Sequence, residues 1–599
     1  MSAPARTLRA LLRSAVAPLL LLAWDAHAEP AASDHEANGA NARAADGQAE
    51  RPSPGTADAM VHALALEARR SLALELPGMP RPYLVHMSLI DRDDRIVSAT
   101  LGALDTDVRQ RRRTLGVEVK VGDYTFDSSN FFSEGTPWQA TVVPFEDDAA
   151  VLRREAWLLA DQSYKKAVST FEAKRAARQS RSEEDRPPDY TPAPPVRFRG
   201  PELEPLADGS YVALVEELSG IFGEFTDVHE SGVTVAASSE RRAFVSSEGA
   251  EVVESKRVVE LSVWARTQAD DGMPLADHLS VVIDTVDADL RRELAAHVRE
   301  LAAGLVALRK ADVVKDYSGP VLFEDAAAPQ LLRALLVEQL SATPPPESDG
   351  GPLGDESELE ARLGWKVLPA GFSVSDDPAR AELAGVPLIG GYTYDDEGVR
   401  GGAVSLVEDG KLTTLLSSRT PSRRVRGSNG HGHLGPSGLV RARASNLIVR
   451  SARGLSRAAL RARLLREIRA EGLPYGLIVQ KLDDPRLTGG VLEQERGFGT
   501  GAFVPMPVRL IELTRDGKQR IVRGGTLQGL SVRDLRYLIA ASSSPNVHNY
   551  LAPGAGDSGF GYAADLPVSI AAPDLLVRDV DVRAPTAHYR KPPLITRPR

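Results

Sequence analysis

Two periodicities divide this chain. Apolar residues recur at helical spacing in a few long segments, and alternate with polar ones in many short segments. The first helical pattern follows Thr56, a residue suited to capping, and runs to about Leu76. A longer one covers Ala149–Ala177, with Leu152, Trp157, Leu158, Tyr164 and Val168 expected on one face. Others span Tyr211–Phe225 and Asp287–Lys310, the latter with Leu290, Leu294, Val298, Leu301, Leu305 and Leu308 in a stripe. Alternation predicts strands at Tyr83–Ile90, Ile96–Leu101 and Val117–Phe126. The charged run Asp91–Arg95 reads as the turn of a hairpin between the first two. Further strands are predicted at Val228–Ala237, Arg242–Ser247, Ala250–Glu254 and Val258–Arg266. A strand at Val321–Glu324 then leads into a helix at Ala326–Leu340, and short strands and glycine turns follow to the end.

These patterns predict an α+β fold. Two small α/β subdomains, 57–200 and 201–317, precede a large β-rich domain, 318–599. Residues 179–200 are rich in proline and charge and read as an exposed loop closing the first subdomain. Residues 29–56 are small, polar and rich in Ala, Gly and Pro, and read as a disordered linker. Residues 1–28 carry the marks of a signal peptide. Arg6, Arg9 and Arg13 are followed by an apolar stretch, Ser14–Trp24, and by the small-x-small site Ala26-His27-Ala28. Export to a periplasm or the extracellular space is therefore expected. No later run is long enough for a stable membrane anchor.

Composition removes several chemistries. The 599 residues include no cysteine, so no disulfide, thiol nucleophile or thiolate-bound metal exists. The formal net charge is -10, and Lys and Arg are not concentrated in any one region, which argues against a nucleic-acid partner.

Several segments, in order over roughly 240–580, resemble the TldD/PmbA ("modulator of DNA gyrase") family of zinc-protease-like proteins. They are Ser247-Glu248-Gly249 after Phe244-Val245, Gly319–Phe323 (GPVLF), Val374–Pro378 (VSDDP), Tyr394–Gly398 (YDDEG), Leu406–Leu415, Leu566-Pro567-Val568 and Asp574–Val577. The resemblance implies the family's C-terminal β-rich fold. It also implies a zinc site built from H-E-x-x-x-H on the helix after the G-P-V strand, with a cysteine near the C-terminus. In such a site imidazoles and a thiolate hold the metal and the glutamate takes a proton from bound water. Here Arg333 stands at the first histidine, Ala334 at the glutamate and Glu338 at the second histidine, and the cysteine position falls near Gly559. A guanidinium is no zinc ligand. The resemblance thus implies a degenerate site without zinc in an exported, metallopeptidase-like chain. Such a chain binds an extended peptide or unfolded segment, or partners an active subunit, as a homodimer or as a heterodimer with a TldD-like chain. The alternative is an active hydrolase with zinc on relocated ligands, His431 and His433, joined by His548 or Asp395. A third reading is a purely structural envelope protein.

Other motifs read as structure. His431 and His433 lie in a glycine-rich loop (GSNGHGHLGPSG) expected to expose them. Gly556-Asp557-Ser558-Gly559 lacks the partner motifs of a serine protease. Ser163-Tyr164-Lys165-Lys166 lacks those of an S-x-x-K enzyme and reads as a solvated helix face. Asp376-Asp377 and Asp395-Asp396-Glu397 read as turn and cap residues.

Overall fold

The computed structural model describes residues 54–133, 138–179, 186–206, 210–283, 286–435, 438–492, 504–552 and 566–591. The expected signal peptide and nearly all of the expected linker lie outside them, as does the GDSG segment with Gly559. No helix among the described residues is long and apolar enough to cross a membrane.

The first half is built on one sheet. Its strands are β1 (Pro82–Thr100), β2 (Ala103–Val121), β3 (Gln139–Val142), β4 (Val196–Arg199), β5 (Glu230–Ser246), β6 (Ala250–Gln268) and β7 (Pro274–Val282). The order is β3-β2-β1-β5-β6, and β4 and β7 both pair with the far side of β6. Helices α1 (Pro54–Ser71) and α2 (Ala149–Gln179) pack on Val85, Met87 and Leu89 of β1 and on Leu115–Val121 of β2. Helices α3 (Ser210–Gly220) and α4 (Ala288–Leu308) pack on Val97 and Ala99 of the same strand and on β5 and β6. Odd-numbered residues of β1 serve both cores, so both helix pairs cover one face. Asp287 caps α4, accepting from the Leu290 N–H at 2.8 Å.

The run Asp91–Arg95 is not a turn. It lies mid-strand, between the residues that β1 gives to the two cores, with Arg95 buried beneath Tyr211 of α3, and its charges are answered across the ladder. Asp91 pairs with Arg113, Asp93 with Arg109 (2.7 Å) and Arg95 with Asp107 (3.0 Å). The chain reverses instead at Leu101-Gly102, both with positive φ, the backbone of a tight hairpin turn. The strand pairs expected at 228–247 and 250–266 are likewise single long strands. On α2 the buried stripe runs through Leu152, Ala156, Leu159, Ala160, Ser163 and Tyr164, whereas Trp157 is exposed. Ser163 and Tyr164 therefore belong to the core. Ser163 Oγ accepts from the Val119 N–H (2.8 Å), and the Tyr164 hydroxyl donates to the Pro80 carbonyl (3.0 Å).

The second half is a twelve-stranded sheet around the long strand Leu566–Arg583, which pairs with Tyr317–Phe323, Asn446–Ser451 and Leu538–Ala552. Alternation on Tyr317–Phe323 separates two layers. Val321 and Phe323 enter the large core beneath α5 (Ala327–Leu332), and Leu322 packs against Leu460, Leu464 and Ile468 of α6 (Arg457–Ala470). The helix expected at Ala326–Leu340 is regular only to Leu332. A π-turn over Arg333–Val337 and a 3-10 turn over Glu338–Leu340 complete it.

Candidate functional site

The π-turn carries Arg333 and Ala334, and the 3-10 turn after it carries Glu338, the three positions that the resemblance assigns to a zinc site. Arg333 is half-buried, Ala334 packs against the core and Glu338 is exposed. The Arg333 guanidinium lies 4.0 Å from the centre of the Tyr550 ring and 3.3 Å from Asp484 Oδ2. Asp484 also caps the short helix Pro485–Thr488, accepting from the Arg486 N–H at 3.1 Å. His548 stacks on Tyr550, with centroids 5.5 Å apart. Burial and then the Arg333 charge lower its pKa to about 3. A cation therefore sits, paired and stacked, where the resemblance would call for electron-pair donors to a metal. The residues present do not fit zinc. Among the described residues no group of three His, Cys, Asp or Glu is placed to hold a metal.

The two loop histidines are buried rather than exposed, because carboxylates meet them. His431 Nε2 is 3.1 Å from Asp376 Oδ1, and its Nδ1 is 3.1 Å from the Asn429 carbonyl. Asp376 also accepts from the Ser445 N–H (3.0 Å) and hydroxyl. Both ring nitrogens of His431 are thus engaged. His433 points Nδ1 toward Asp396 at 3.7 Å, its Nε2 has no partner among the described residues, and burial lowers its pKa to about 3. His548 lies apart from this pair, beside Arg333. Asp395 takes up the turn role, accepting at Oδ1 from the Glu397 and Val399 N–H groups and at Oδ2 from Gly432. Asp377 makes an Asx turn to the Ala379 N–H.

Beneath the loop lies a buried charge network. The Tyr190 hydroxyl donates to Glu397 Oε1 (2.9 Å) and the Arg419 N–H to Glu397 Oε2 (2.6 Å). The Arg419 side chain donates to Glu248 (2.8 Å) and to the Thr191 carbonyl (2.8 Å). Lys120 and Arg419 each stand 4.5 Å from the Tyr190 ring centre. The proline-rich segment expected to be exposed is thus pinned inward at Asp189 and Tyr190, both buried. Gly432 must be glycine, because a Cβ there would come within 2.4 Å of Glu397 Oε2. Burial acts to raise the Glu118 pKa, but Lys120 and His86 hold it down to about 2. Burial, and then the neighbouring Asp395, push Glu397 up to about 7. Folded Glu397 keeps its proton between its ordinary value of 4.5 and about 7, where the unfolded chain has released it. This group's contribution to stability therefore falls as pH rises through that window. Glu397→Gln removes the dependence. Its melting temperature relative to wild type should climb from pH 4.5 to 7.5, and a constant difference across that range contradicts the assignment.

Above the network a cavity of about 470 Å³ separates the sheet from the C-terminal loops. His86, Phe244 and Val258 come from the sheet; Tyr392, Tyr394 and His433 come from the other side. Its volume lies within the roughly 300–1,000 Å³ range of ligand sites. Of the motif and candidate-site residues named from the sequence, His433 and Leu434 of the glycine-rich loop, Tyr394, Asp396, Glu397, Phe244 and the Leu566-Pro567 pair line it. Arg419, Tyr190, Lys120 and His86 were not candidates in the sequence: His86 and Lys120 lie in predicted strands and Tyr190 in a segment read as an exposed loop, and only tertiary folding brings the four together.

Residues 317–584 match the PmbA/TldA metallopeptidase C-terminal domain. A protein named "Metalloprotease" from Methanothermobacter thermautotrophicus is 28% identical over 246 residues, spanning 39% of this chain and 45% of that relative. The chain thus matches less than half the length of that relative. Among solved structures, one named as a modulator of DNA gyrase from Thermotoga maritima superposes with a TM-score of 0.55 at 15% identity, over 83% of this chain and 96% of the other. TldE from Thermococcus kodakarensis gives 0.56 at 12% identity, over 88% and 100%. At these identities the structural likeness concerns the fold.

Proposed function

Because residues 317–584 match the PmbA/TldA metallopeptidase C-terminal domain, we propose that this chain is an exported, non-catalytic, metalloprotease-like protein. It binds an extended peptide or unfolded segment, alone or beside an active TldD-like subunit. The observation that carries the reading is Arg333, seated on Tyr550 and paired with Asp484 on the helix to which the resemblance assigns metal ligands. Ala334 beside it offers no base and the exposed Glu338 is a lone carboxylate. Export rests on the sequence of residues 1–28. The cavity supports peptide binding, with aromatic rings and paired charges lining a space between two layers. Relocation of zinc to His431 and His433 is disfavoured, because both nitrogens of His431 are already engaged.

Titration with fluorescently labelled unstructured polypeptides tests the reading. Saturable binding is expected, without cleavage by mass spectrometry. Val258→Trp, which projects into the cavity, should weaken that binding about tenfold or more while the melting temperature holds. Non-saturable association would favour a purely structural protein, and chelator-sensitive cleavage would overturn the reading.

A further inference from the structure

Two buried histidines in the cavity lining each have a ring nitrogen to spare. His86, on β1, is 3% exposed and places Nδ1 3.3 Å from Glu118 Oε2. His433, from the other side, is 4% exposed and places Nδ1 3.7 Å from Asp396 Oδ2. A neutral imidazole carries one proton, and a neighbouring carboxylate holds it on the nitrogen that faces it. Burial lowers the pKa of both rings, that of His433 to about 3, so both are neutral. Each Nε2 is then a bare acceptor, and neither has a partner among the described residues. No other buried side-chain nitrogen or oxygen in the described lining lacks one. A buried acceptor without a donor is destabilised, and a ligand that donates relieves it. The charged groups of the wall are engaged with one another. Arg242 pairs with Asp396 and Glu254, Lys256 with Glu240 at 3.2 Å, and Lys120 stands 2.8 Å from Glu118. The lining carries five carboxyl side chains and three cationic ones, which disfavours an anionic ligand. Aromatic rings flank both acceptors, with Phe244 centred 5.3 Å from His86 and Tyr392 4.7 Å from His433.

We propose that this cavity takes the guanidinium of an arginine residue in the bound polypeptide, which donates N–H groups to the free Nε2 atoms of His86 and His433. The inference rests on the polypeptide-binding reading and names the side chain that the cavity selects. A guanidinium is a donor only, with several N–H groups in one plane, so one group can serve two acceptors and brings no lone pair of its own. It is more weakly hydrated than an ammonium, which favours it over lysine in a half-enclosed space. Its flat faces are attracted to aromatic rings such as those of Tyr392 and Phe244. A carboxamide or a peptide amide brings a carbonyl as well, and no buried side-chain donor in the described lining is without a partner to meet it. Tryptophan donates only one N–H and leaves one acceptor unmet.

Calorimetric titration of the purified full chain tests it, with unstructured peptides identical except for one central residue: arginine, citrulline, norleucine, lysine or tryptophan. Citrulline keeps the shape of arginine but is neutral and carries a carbonyl. The arginine peptide should bind about tenfold or more tighter than the citrulline and norleucine peptides. His86→Phe and His433→Phe keep a ring in the wall without the acceptor. Each should bring the arginine and norleucine peptides to within about threefold of one another. Melting temperatures check folding, and the peptide series on the wild type decides the question even where a variant does not fold. N-acetyl-arginine amide is too short to be held as an extended chain. Its saturable binding, without any by the norleucine analogue, would support the arginine site even if longer polypeptides do not bind. Equal binding of the arginine, citrulline and norleucine peptides would leave polypeptide binding standing and overturn the arginine site. A lysine or tryptophan peptide that binds as tightly as the arginine one, or variants that keep the full preference, would also overturn it. So would the absence of saturable binding by both the arginine peptide and N-acetyl-arginine amide.

Discussion

Replacing Arg419 with methionine should cost about 3–5 kcal/mol of stability, the range for removing one partner of a buried ion pair. Arg419 is 1% exposed and is the largest fully buried side chain among the described residues. Its loss leaves Glu248 without its cation, strips one face of the Tyr190 ring, and leaves the Thr191 carbonyl without the guanidinium donor. The effect also spreads to Glu397, whose charge Arg419 helps to stabilise. Methionine recovers the packing of the side-chain stem and nothing of the charge. Urea unfolding at neutral pH checks the value. A loss under about 1 kcal/mol would mean that the pair behaves as a solvated surface contact and that the network does not hold the loop.

Acid should destabilise the fold steeply below pH 6.5. Burial lowers His433 and His548 to about 3 and His278 to about 4, from the ordinary histidine value of 6.5. Each is neutral when folded, whereas the unfolded chain takes up a proton below 6.5. Their stabilisation is therefore complete above that pH and is lost as pH falls toward the folded values. A tenfold difference in proton affinity between the folded and unfolded chain corresponds to about 1.4 kcal/mol, so each histidine can withdraw roughly 2 kcal/mol or more by pH 4.5. Glu397 acts in the opposite sense between pH 7 and 4.5, and three sites outweigh one. Below 4.5 Glu118 adds a further loss as pH falls toward its folded value of about 2. Unfolding free energy at pH 7, 5.5 and 4.5 measures the sum, and His548→Phe should flatten the curve. Equal stability at all three pH values would contradict the burial of these rings.

What the sequence disclosed followed from how local each signal is. Helices α2 and α4 and the C-terminal family segments were legible because their patterns repeat over many residues, and the α+β architecture with its large β-rich C-terminal domain followed from them. Asp91–Arg95 misled, since five charged residues in a row imitate a turn. Their Arg and Asp partners lie on β2, up to 22 residues away, and only pairing reveals them. The long strands β5 and β6 were divided for the same reason, at polar stretches such as Ser238–Arg242 that cross between the two cores. The burial of His431 and His433 was illegible because it depends on Asp376 and Asp396, 55 and 37 positions before them in the chain. Arg333, by contrast, was legible as a misplaced cation on a helix, and the structure adds the ring and carboxylate that hold it.

The non-catalytic reading depends most on that helix having exchanged metal ligands for a paired guanidinium. Elemental analysis of the chain, purified from zinc-supplemented culture and dialysed without chelator, tests this directly. Zinc far below one atom per chain is the expected result. One tightly held zinc per chain would contradict it.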